Sequence, residues 1–433
     1  MSIYDKASLV QIPSGYKSGT LYSVVPNTAD GDFTVTGDPQ GEATRVNKDG
    51  LIETVSANAP RLNYNFIDGV VQPDPHLLLE PTRRNIVDYS EEFDQWSATN
   101  SVTVTTNQGT SPDGSNTSDK LTSGAANSRV NRTFTYSNNS TMVFSVFVKN
   151  IDATNIKIGI SDNITGVCNA TFTFSNENIT SANEGSWTNT SASVVNFGNG
   201  WYRLILISTK GAGSNLASRV EFTESGKNVL VWGAQLEDNG SFGSVDYPTS
   251  YIPTSGSAVT RTADFCQIAS GIADILNTSE GTLFIDVEVP RVSTSGDYER
   301  IALTDQTSGT DRILIDDFGG NWRVVVISSA GTQTASIRST QANTRIKIAF
   351  TYSSSQIRVS YDGNDATTTS ISYTPSTALE SFKFSNKDGN NKWQGKVYQA
   401  MYFDTALTNT ELQTLTSYDS FGQMAKALLY TIE

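Results

Sequence analysis

The sequence predicts an all-β protein: two tandem antiparallel β-sandwiches of jelly-roll type, an extended N-terminal arm and short C-terminal helices. Three observations support this prediction. Ser, Thr, Asn and Gly are abundant while only 17% of the residues are charged, which is typical of β-rich chains with many turns. Short alternating segments recur at close spacing without a helical period. Two series of such segments lie on either side of a linking stretch at residues 229–265.

The chain length of 433 residues indicates two or three domains, and 37% hydrophobic residues are enough to build packed cores. The predicted boundaries follow the changes in composition. We expect an arm at residues 1–80, a first sandwich at 81–256, a second sandwich at 257–420 and a C-terminal helix at 421–433.

The predicted arm contains only short β-like pieces, at residues 21–25, 33–35 and 51–55, separated by glycines and prolines. Small isolated hairpins are marginally stable in water. A segment of this kind usually gains its order by docking on another surface. Two interpretations stay open, an attachment arm for a larger assembly and a segment that packs on the C-terminal modules of its own chain.

The first sandwich is indicated by the alternating segment VFSVFV at residues 143–148. It ends in a strand that starts at Val229, where Gly233 interrupts the alternation and predicts a bulge or a close backbone approach. Residues 247–254 follow as an extended strap, because each proline in YPTSYIPT biases its predecessor away from helix.

The second sandwich begins with a strand at residues 281–289, whose alternate positions are apolar. Near the end of the chain, Thr408 and Glu411 form the sequence signature of a capping box and predict a helix that starts there. A second short helix is predicted from Phe421 to Ile432.

The charge and the cysteine inventory exclude several classes of partner. A net charge of −14 argues against nucleic-acid binding, which needs clustered Lys and Arg. No apolar run approaches the roughly 20 residues that cross a bilayer, and MSIYDKASLV lacks the features of a signal peptide, so we expect synthesis in the cytoplasm without membrane insertion. Cys168 and Cys266 fall in different modules and form no disulfide framework.

The residues offer little for catalysis, and we expect a protein that is not an enzyme. His76 is the single histidine, and the sequence contains no nucleophile-elbow motif with which it could form a Ser-His-Asp triad. The adjacent carboxylates Asp316 and Asp317 would point to opposite faces of a strand, so they are a poor acid and base pair for glycoside hydrolysis.

Two kinds of binding site are candidates. Trp322 and Trp393 each follow a turn and could stack on sugar rings, although large aromatic side chains more often belong to a core. A candidate Ca²⁺ site is formed by the side-chain oxygens of Asp362, Asn364 and Asp365, which do not have the full spacing of an EF-hand loop. A plain turn is the alternative. We predict no other metal site and no cofactor.

Several segments resemble structural proteins of tailed bacteriophages. Residues 4–10, 12–17, 44–47, 60–64 and 77–81 resemble the N-terminal cassette of such proteins. WGAQLE at 232–237 and YIPT at 251–254 look like the end of the carbohydrate-binding-module-like sandwich of that cassette. Residues 281–418 resemble a concanavalin A-like or laminin-G-like sandwich.

The resemblance implies a virion surface protein: a head fibre, a capsid decoration or a tail fibre. Its first eighty residues would bind capsid or tail proteins, and its sandwiches would meet host or environmental glycans. Such fibres are commonly symmetric, which favours a homotrimer, with a dimer as the second choice. The competing hypotheses are a glycan depolymerase and a purely structural spike.

Overall fold

The computed structural model describes residues 3–135, 140–162, 166–183, 185–210, 215–238, 246–293, 300–305, 310–386, 388–419 and 422–423, without the side chains of Thr135 and Arg300. This part of the chain is dominated by antiparallel strands, which confirms the all-β prediction. In the described residues, no helix has the length and apolar character to span a membrane.

The N-terminal eighty residues hold more strands than the sequence predicted, most of them two to four residues long. These strands are β1 (Leu9–Gln11), β2 (Tyr16–Lys17), β3 (Thr20–Leu21), β4 (Phe33–Thr36), β5 (Thr44–Val46), β6 (Ile52–Thr54), β7 (Leu62–Asn63), β8 (Phe66–Ile67), β9 (Val70–Val71) and β10 (His76–Leu79). Short 3₁₀ turns lie at Tyr4–Lys6 and Ala29–Gly31.

The next part of the chain, up to residue 261, supplies the first sandwich and its connections. Its strands are β11 (Arg83–Asn85), β12 (Ser97–Thr99), β13 (Thr103–Gly109), β14 (Ser118–Thr122), β15 (Arg129–Thr135), β16 (Thr141–Asn150), β17 (Asn155–Ser161), β18 (Val167–Thr173), β19 (Asn178–Asn183), β20 (Thr188–Asn196), β21 (Trp201–Thr209), β22 (Asn215–Phe222), β23 (Asn228–Asp238) and β24 (Val259–Arg261). A 3₁₀ turn at Phe93–Gln95 precedes β12.

The remaining strands belong to the second sandwich. They are β25 (Phe265–Ile268), β26 (Gly281–Val289), β27 (Arg300–Thr304), β28 (Arg312–Phe318), β29 (Asn321–Ser328), β30 (Gly331–Ser339), β31 (Thr344–Tyr352), β32 (Gln356–Tyr361), β33 (Thr367–Ser370), β34 (Ser381–Lys383) and β35 (Gly395–Phe403), followed by the helix α1 (Asn409–Ser417).

The second sandwich is built from both ends of the chain. One sheet has the order β33-β32-β31-β26-β35-β10-β7, and β1 also pairs with β35. The opposing sheet has the order β2-β3-β4-β25-β34-β27-β28-β29-β30. Side chains from both ends of the chain, such as Leu9, Phe33 and Leu77 beside Ile285 and Tyr402, fill one continuous core.

The prediction of a separate arm at residues 1–80 is therefore corrected. The strand β1 pairs with β35 from Leu9–Tyr402 to Gln11–Ala400, and β4 pairs with β25. The individual pieces are too short to be stable alone, but each one extends a larger sheet and buries its apolar face there. The alternative that the sequence left open, packing on the C-terminal part of the same chain, is the observed arrangement.

The first sandwich is an insertion in the second one rather than its tandem neighbour. Its sheets have the orders β12-β15-β22-β17-β18-β19 and β13-β14-β23-β16-β21-β20. The chain enters through β11 and leaves through β24, and these two strands pair with each other from Arg83–Arg261 to Asn85–Val259. An insertion needs neighbouring ends, and this two-stranded stem provides them.

The predicted strap at residues 247–254 is extended and carries no helix or strand. It lies along the outer face of β23, where Gln235 accepts from the Ile252 amide at 2.7 Å and Glu237 accepts from the Thr249 amide at 3.1 Å. Gly233 has φ +62° where the pairing of β16 with β23 shifts register, which confirms the predicted bulge.

The capping box of α1 is confirmed, because Thr408 and Glu411 hydrogen-bond each other's backbone amides. The second predicted helix lies outside the described residues, except for Gly422 and Gln423. Both cysteines, Cys168 and Cys266, are buried free thiols in separate sandwiches.

Candidate functional site

The two tryptophans proposed for sugar stacking lie in the core of the second sandwich. Trp322 is 2% exposed and Trp393 is 1% exposed, and their rings stack on each other with centroids 6.0 Å apart. A sugar could reach neither ring face in this arrangement. The stacking prediction is corrected to the core alternative, because Trp322 lies on the inward-facing side of β29 with Val324 and Val326, and Trp393 packs in the same core.

The carboxylates of the calcium candidates Asp362 and Asp365 accept hydrogen bonds from protein donors. Asp362 accepts from the Lys347 amide at 2.9 Å and pairs with Arg338 at 3.0 Å. Asp365 accepts from Gln413 at 3.2 Å, and the Asn364 side chain donates to a backbone carbonyl. The described residues contain no cluster of three metal-ligating side chains. The geometry is that of the plain turn.

The carboxylates Asp316 and Asp317 also have structural partners. Asp316 forms a two-pronged contact with Arg323 at 2.9 and 2.7 Å. Asp317 accepts from the Ser293 amide at 3.0 Å and from the Thr340 hydroxyl at 2.6 Å. Both side chains are buried, with exposed fractions of 1% for Asp316 and 0% for Asp317.

His76 is fully buried in β10, with its Nε2 atom 3.2 Å from the Asn63 amide nitrogen. Burial lowers the pKa of His76 well below 6.5, and the nearby charges of Lys396 and Arg345 lower it further. The imidazole is therefore neutral at physiological pH and has a structural position.

The site that the sequence did not single out is a cleft between the two sandwiches. It consists of two adjoining cavities of about 330 and 340 Å³, each within the size range of small-ligand sites. Six residues line both cavities: Leu78, Val195, Phe197, Arg203, Pro248 and Lys396. We call this pair of cavities the inter-sandwich cleft.

One wall of the inter-sandwich cleft is the outer face of the sheet that contains β16, β20 and β21. Val195 lies opposite Arg203, and Arg203 lies opposite Phe147, so the three side chains form one row across adjacent strands. The alternate residues of the same strands, including Phe144 and Leu204, point into the core of the first sandwich. The period of two thus places an arginine and apolar groups together on the outer face.

The other wall is the outer face of the second sandwich. Leu78 lies opposite Lys396, which lies opposite Glu288 in the neighbouring strand. The Lys396 ammonium pairs with Glu288 at 2.7 Å, and Tyr398 donates to the same carboxylate at 3.1 Å. This wall is therefore polar, with its charges already balanced.

Arg203 differs from the other charged residues of the inter-sandwich cleft in its hydrogen-bond partners. Its side chain is 8% exposed, and its Nε and Nη2 atoms donate to the Ser145 hydroxyl at 3.2 and 2.9 Å. Burial lowers the pKa of Arg203, although the more distant carboxylates of Glu237 and Glu80 act in the opposite direction. Among the described residues that line the cleft, Arg45 and Lys396 have carboxylate partners and Arg203 has none within ion-pair distance.

A buried ion network closes the inner end of the cleft. Arg61 donates to Glu80 at 2.6 Å and also pairs with Asp264, while Arg261 pairs with Glu80. The Ser250 amide of the strap donates to Glu80 at 2.8 Å. Burial opposes ionisation of Glu80, but Arg261 and Arg61 outweigh it and lower the pKa of that carboxyl. The network joins the stem, the strap and the N-terminal segment.

Aromatic rings line the outer end. Phe197 packs on Phe66 with centroids 4.6 Å apart and meets Phe147 edge-on at 5.0 Å. Phe197 is half-buried, and Val195 beside it is 37% exposed. The cleft therefore combines an open apolar surface with the guanidinium of Arg203, which has no carboxylate partner among the described residues. The sequence signal for Arg203 is that it is the lone charge in the segment WYRLILIS.

Comparison with known proteins gave weak likenesses. No family model matches the sequence, and no curated protein matches it. Among solved structures, the chain is similar to the CBM40 domain of a Ruminococcus gnavus IT-sialidase (11% identity, TM-score 0.29, covering 33% of this chain and 86% of that one).

Two further structures give similar values. They are a mutant of the NanB sialidase from Streptococcus pneumoniae (12% identity, TM-score 0.30, covering 35% of this chain and 26% of that one) and the receptor-binding domain of a botulinum neurotoxin of mosaic serotype C/D (10% identity, TM-score 0.29, covering 35% and 38%). At these TM-scores the likenesses carry no argument about function.

Proposed function

We propose that the chain is a non-catalytic glycan-binding protein and that the inter-sandwich cleft is its binding site. The observation that supports the proposal is the combination of an open apolar surface at Phe197 and Val195 with the polar groups of Arg203 and Lys396. Sugar rings present apolar faces and hydroxyl edges, and this cleft offers a counterpart to each.

Binding is favoured over glycan cleavage by the state of the carboxylates. Glu80 and Glu288 are the carboxylates that line the second cavity. A glycosidase needs one carboxyl group whose pKa is raised, so that it can protonate the leaving group. The pKa of Glu80 is lowered by Arg261 and Arg61, and Glu288 is paired with Lys396.

A panel of neutral and acidic oligosaccharides, titrated calorimetrically into the full-length protein, tests this function. We expect weak binding of at least one member and a loss of that binding in Phe197→Ala. The control is Ile151→Ala, which removes a 50% exposed side chain from a turn of the first sandwich. If no oligosaccharide of the panel binds, the glycan-binding proposal is wrong and the purely structural spike is the hypothesis that remains.

We further propose display on a phage particle as a head fibre or capsid decoration, with a tail fibre as the alternative. The support is the resemblance of the N-terminal segments to phage structural proteins. Many copies on one particle would supply avidity for weakly bound sugars. A homotrimer, with a dimer second, is the assembly that we expect.

The N-terminal eighty residues also present apolar groups for an attachment contact. Tyr22, Ile67 and Val70 are 42%, 58% and 63% exposed. Deletion of the whole segment would unfold the second sandwich, so surface substitutions make the better test. We expect Ile67→Ser combined with Val70→Thr to reduce incorporation into particles, measured by immunoblot of purified virions. Val292→Ser, at a 42% exposed position of the second sandwich, is the control and should incorporate normally.

A further inference from the structure

We infer that the inter-sandwich cleft selects sugars that carry a carboxylate, such as uronic or sialic acids, and that Arg203 binds this group. The inference rests on the proposed glycan-binding function and specifies its ligand class. It begins from the hydrogen bonds of the guanidinium. Arg203 has five N–H donors, and within the described residues its acceptor is the single hydroxyl of Ser145.

The burial of Arg203 makes this arrangement unusual. A guanidinium removed from water is normally paired with a carboxylate, because an unpaired buried charge is costly. Two other buried arginines of this region follow that rule, since Arg61 and Arg261 both contact Glu80. Arg203 faces the cleft instead, where a ligand can supply the missing acceptor.

The shape of the donor group indicates which anion fits. The planar fork of an arginine matches the two oxygens of a carboxylate in a charge-assisted, two-pronged contact, and a neutral sugar hydroxyl with its single oxygen cannot form that contact. Phe147 lies 5.5 Å below the guanidinium and holds its plane, and Ser145 fixes its position from the neighbouring strand. Each cavity, at about 330 or 340 Å³, accommodates one or two sugar rings next to this fork.

The surroundings favour one added negative charge. Lys396 and Arg45 are balanced by Glu288 and Glu53, so a ligand carboxylate would compensate the charge of Arg203. The net charge of −14 opposes anion binding at long range. At 0.15 M salt this repulsion is screened beyond about 8 Å, so the contact with Arg203 decides the affinity.

The test compares matched ligands on the intact protein at 0.15 M salt. One arm uses tri-galacturonic acid and its methyl ester, and the other uses 3′-sialyllactose and its methyl ester. We expect the free acid to bind at least about tenfold more tightly than the ester in one arm, which also identifies the source of the carboxylate. Esterification removes the charge while the rest of the sugar stays in place.

Variants then assign the selectivity to Arg203. We expect Arg203→Gln to bind acid and ester alike, and Arg203→Lys to keep part of the preference. Arg338→Gln, which removes an arginine from a distant ion pair with Asp362, should behave as the wild type.

The outcomes separate the inference from the proposed function. Equal binding of acid and ester in both arms would overturn the inference and leave glycan binding intact. A preference that persists in a folded Arg203→Gln variant would overturn the role of Arg203. Binding of no oligosaccharide, acidic or neutral, would overturn both. Because the ligand comparison uses the wild-type protein, it remains decisive even if a variant fails to fold.

Discussion

Arg61 donates to Glu80 across 2.6 Å at the junction of the two sandwiches, and both residues come from the N-terminal eighty. The same carboxylate receives Arg261 from the returning stem and Ser250 from the strap. One buried anion therefore connects the N-terminal segment with the strap and the stem, 170 and 181 residues further along the chain. This network holds the inserted sandwich against its host and closes the inner end of the cleft.

The first prediction concerns this network. Glu80→Gln should lower the free energy of unfolding by about 3–5 kcal/mol, because it leaves two buried guanidinium groups without their shared anion. Urea denaturation followed by tryptophan fluorescence measures the loss. Glu53→Gln is the control, since Glu53 pairs with Arg45 at a 38% exposed position and should change stability by at most about 1 kcal/mol. Equal effects of the two substitutions would show that the network is not a stabilising centre.

The second prediction concerns the N-terminal segment as part of the second core. Leu77 is fully buried between strands of that sandwich, so Leu77→Ala should cost about 2–5 kcal/mol. Val70→Ala, at a 63% exposed position of the same segment, should change stability by about 0.5 kcal/mol or less. Thermal and urea unfolding measure both variants. A Leu77→Ala variant as stable as Val70→Ala would contradict the shared core.

The third prediction uses the single histidine as a probe. Burial holds His76 neutral in the folded protein, whereas the unfolded chain binds a proton near pH 6.5. Below that pH the unfolded state binds more protons, so this residue reduces stability as the pH falls from 6.5 to about 5. The imidazole signals in a proton NMR spectrum are unambiguous with one histidine, and we expect no titration over that range. A titration midpoint near pH 6.5 would show that the His76 side chain is exposed to solvent in the folded protein.

The fourth prediction concerns calcium. Asp362 already accepts from Lys347 and pairs with Arg338, so Ca²⁺ would have to displace both donors. We expect 1 mM CaCl₂ or an excess of EGTA to leave the melting temperature unchanged, with MgCl₂ as the control. A calcium-specific rise of several degrees would show binding to the folded state.

The sequence was informative where local pattern determines structure. The alternation at residues 143–148, the bulge at Gly233 and the cap at Thr408 each depend on neighbours a few residues away, and all three are observed. The pairing of β1 with β35 depends on residues almost 400 positions apart. Short strands carry too little pattern to specify such a distant partner, so the sequence predicts an arm where the structure has strands of the second sandwich.

The candidate site was predicted less well than the fold, for a related reason. Trp322 follows a Gly-Gly-Asn turn, and this local pattern suits an exposed ring and a buried ring equally. The observed burial depends on which sheet packs above it. Arg203 was visible as an isolated charge in an apolar strand, but its environment depends on the strap and the second sandwich that surround it.

Hydrogen–deuterium exchange with and without the tightest-binding oligosaccharide of the panel can locate the glycan-binding surface on the folded protein. We expect the ligand to slow amide exchange at residues 193–205 and at residues 247–251 of the strap, which border the inter-sandwich cleft, and to leave exchange at residues 312–328 unchanged. Protection confined to the second sandwich away from the cleft, or no protection at a saturating ligand concentration, would contradict it.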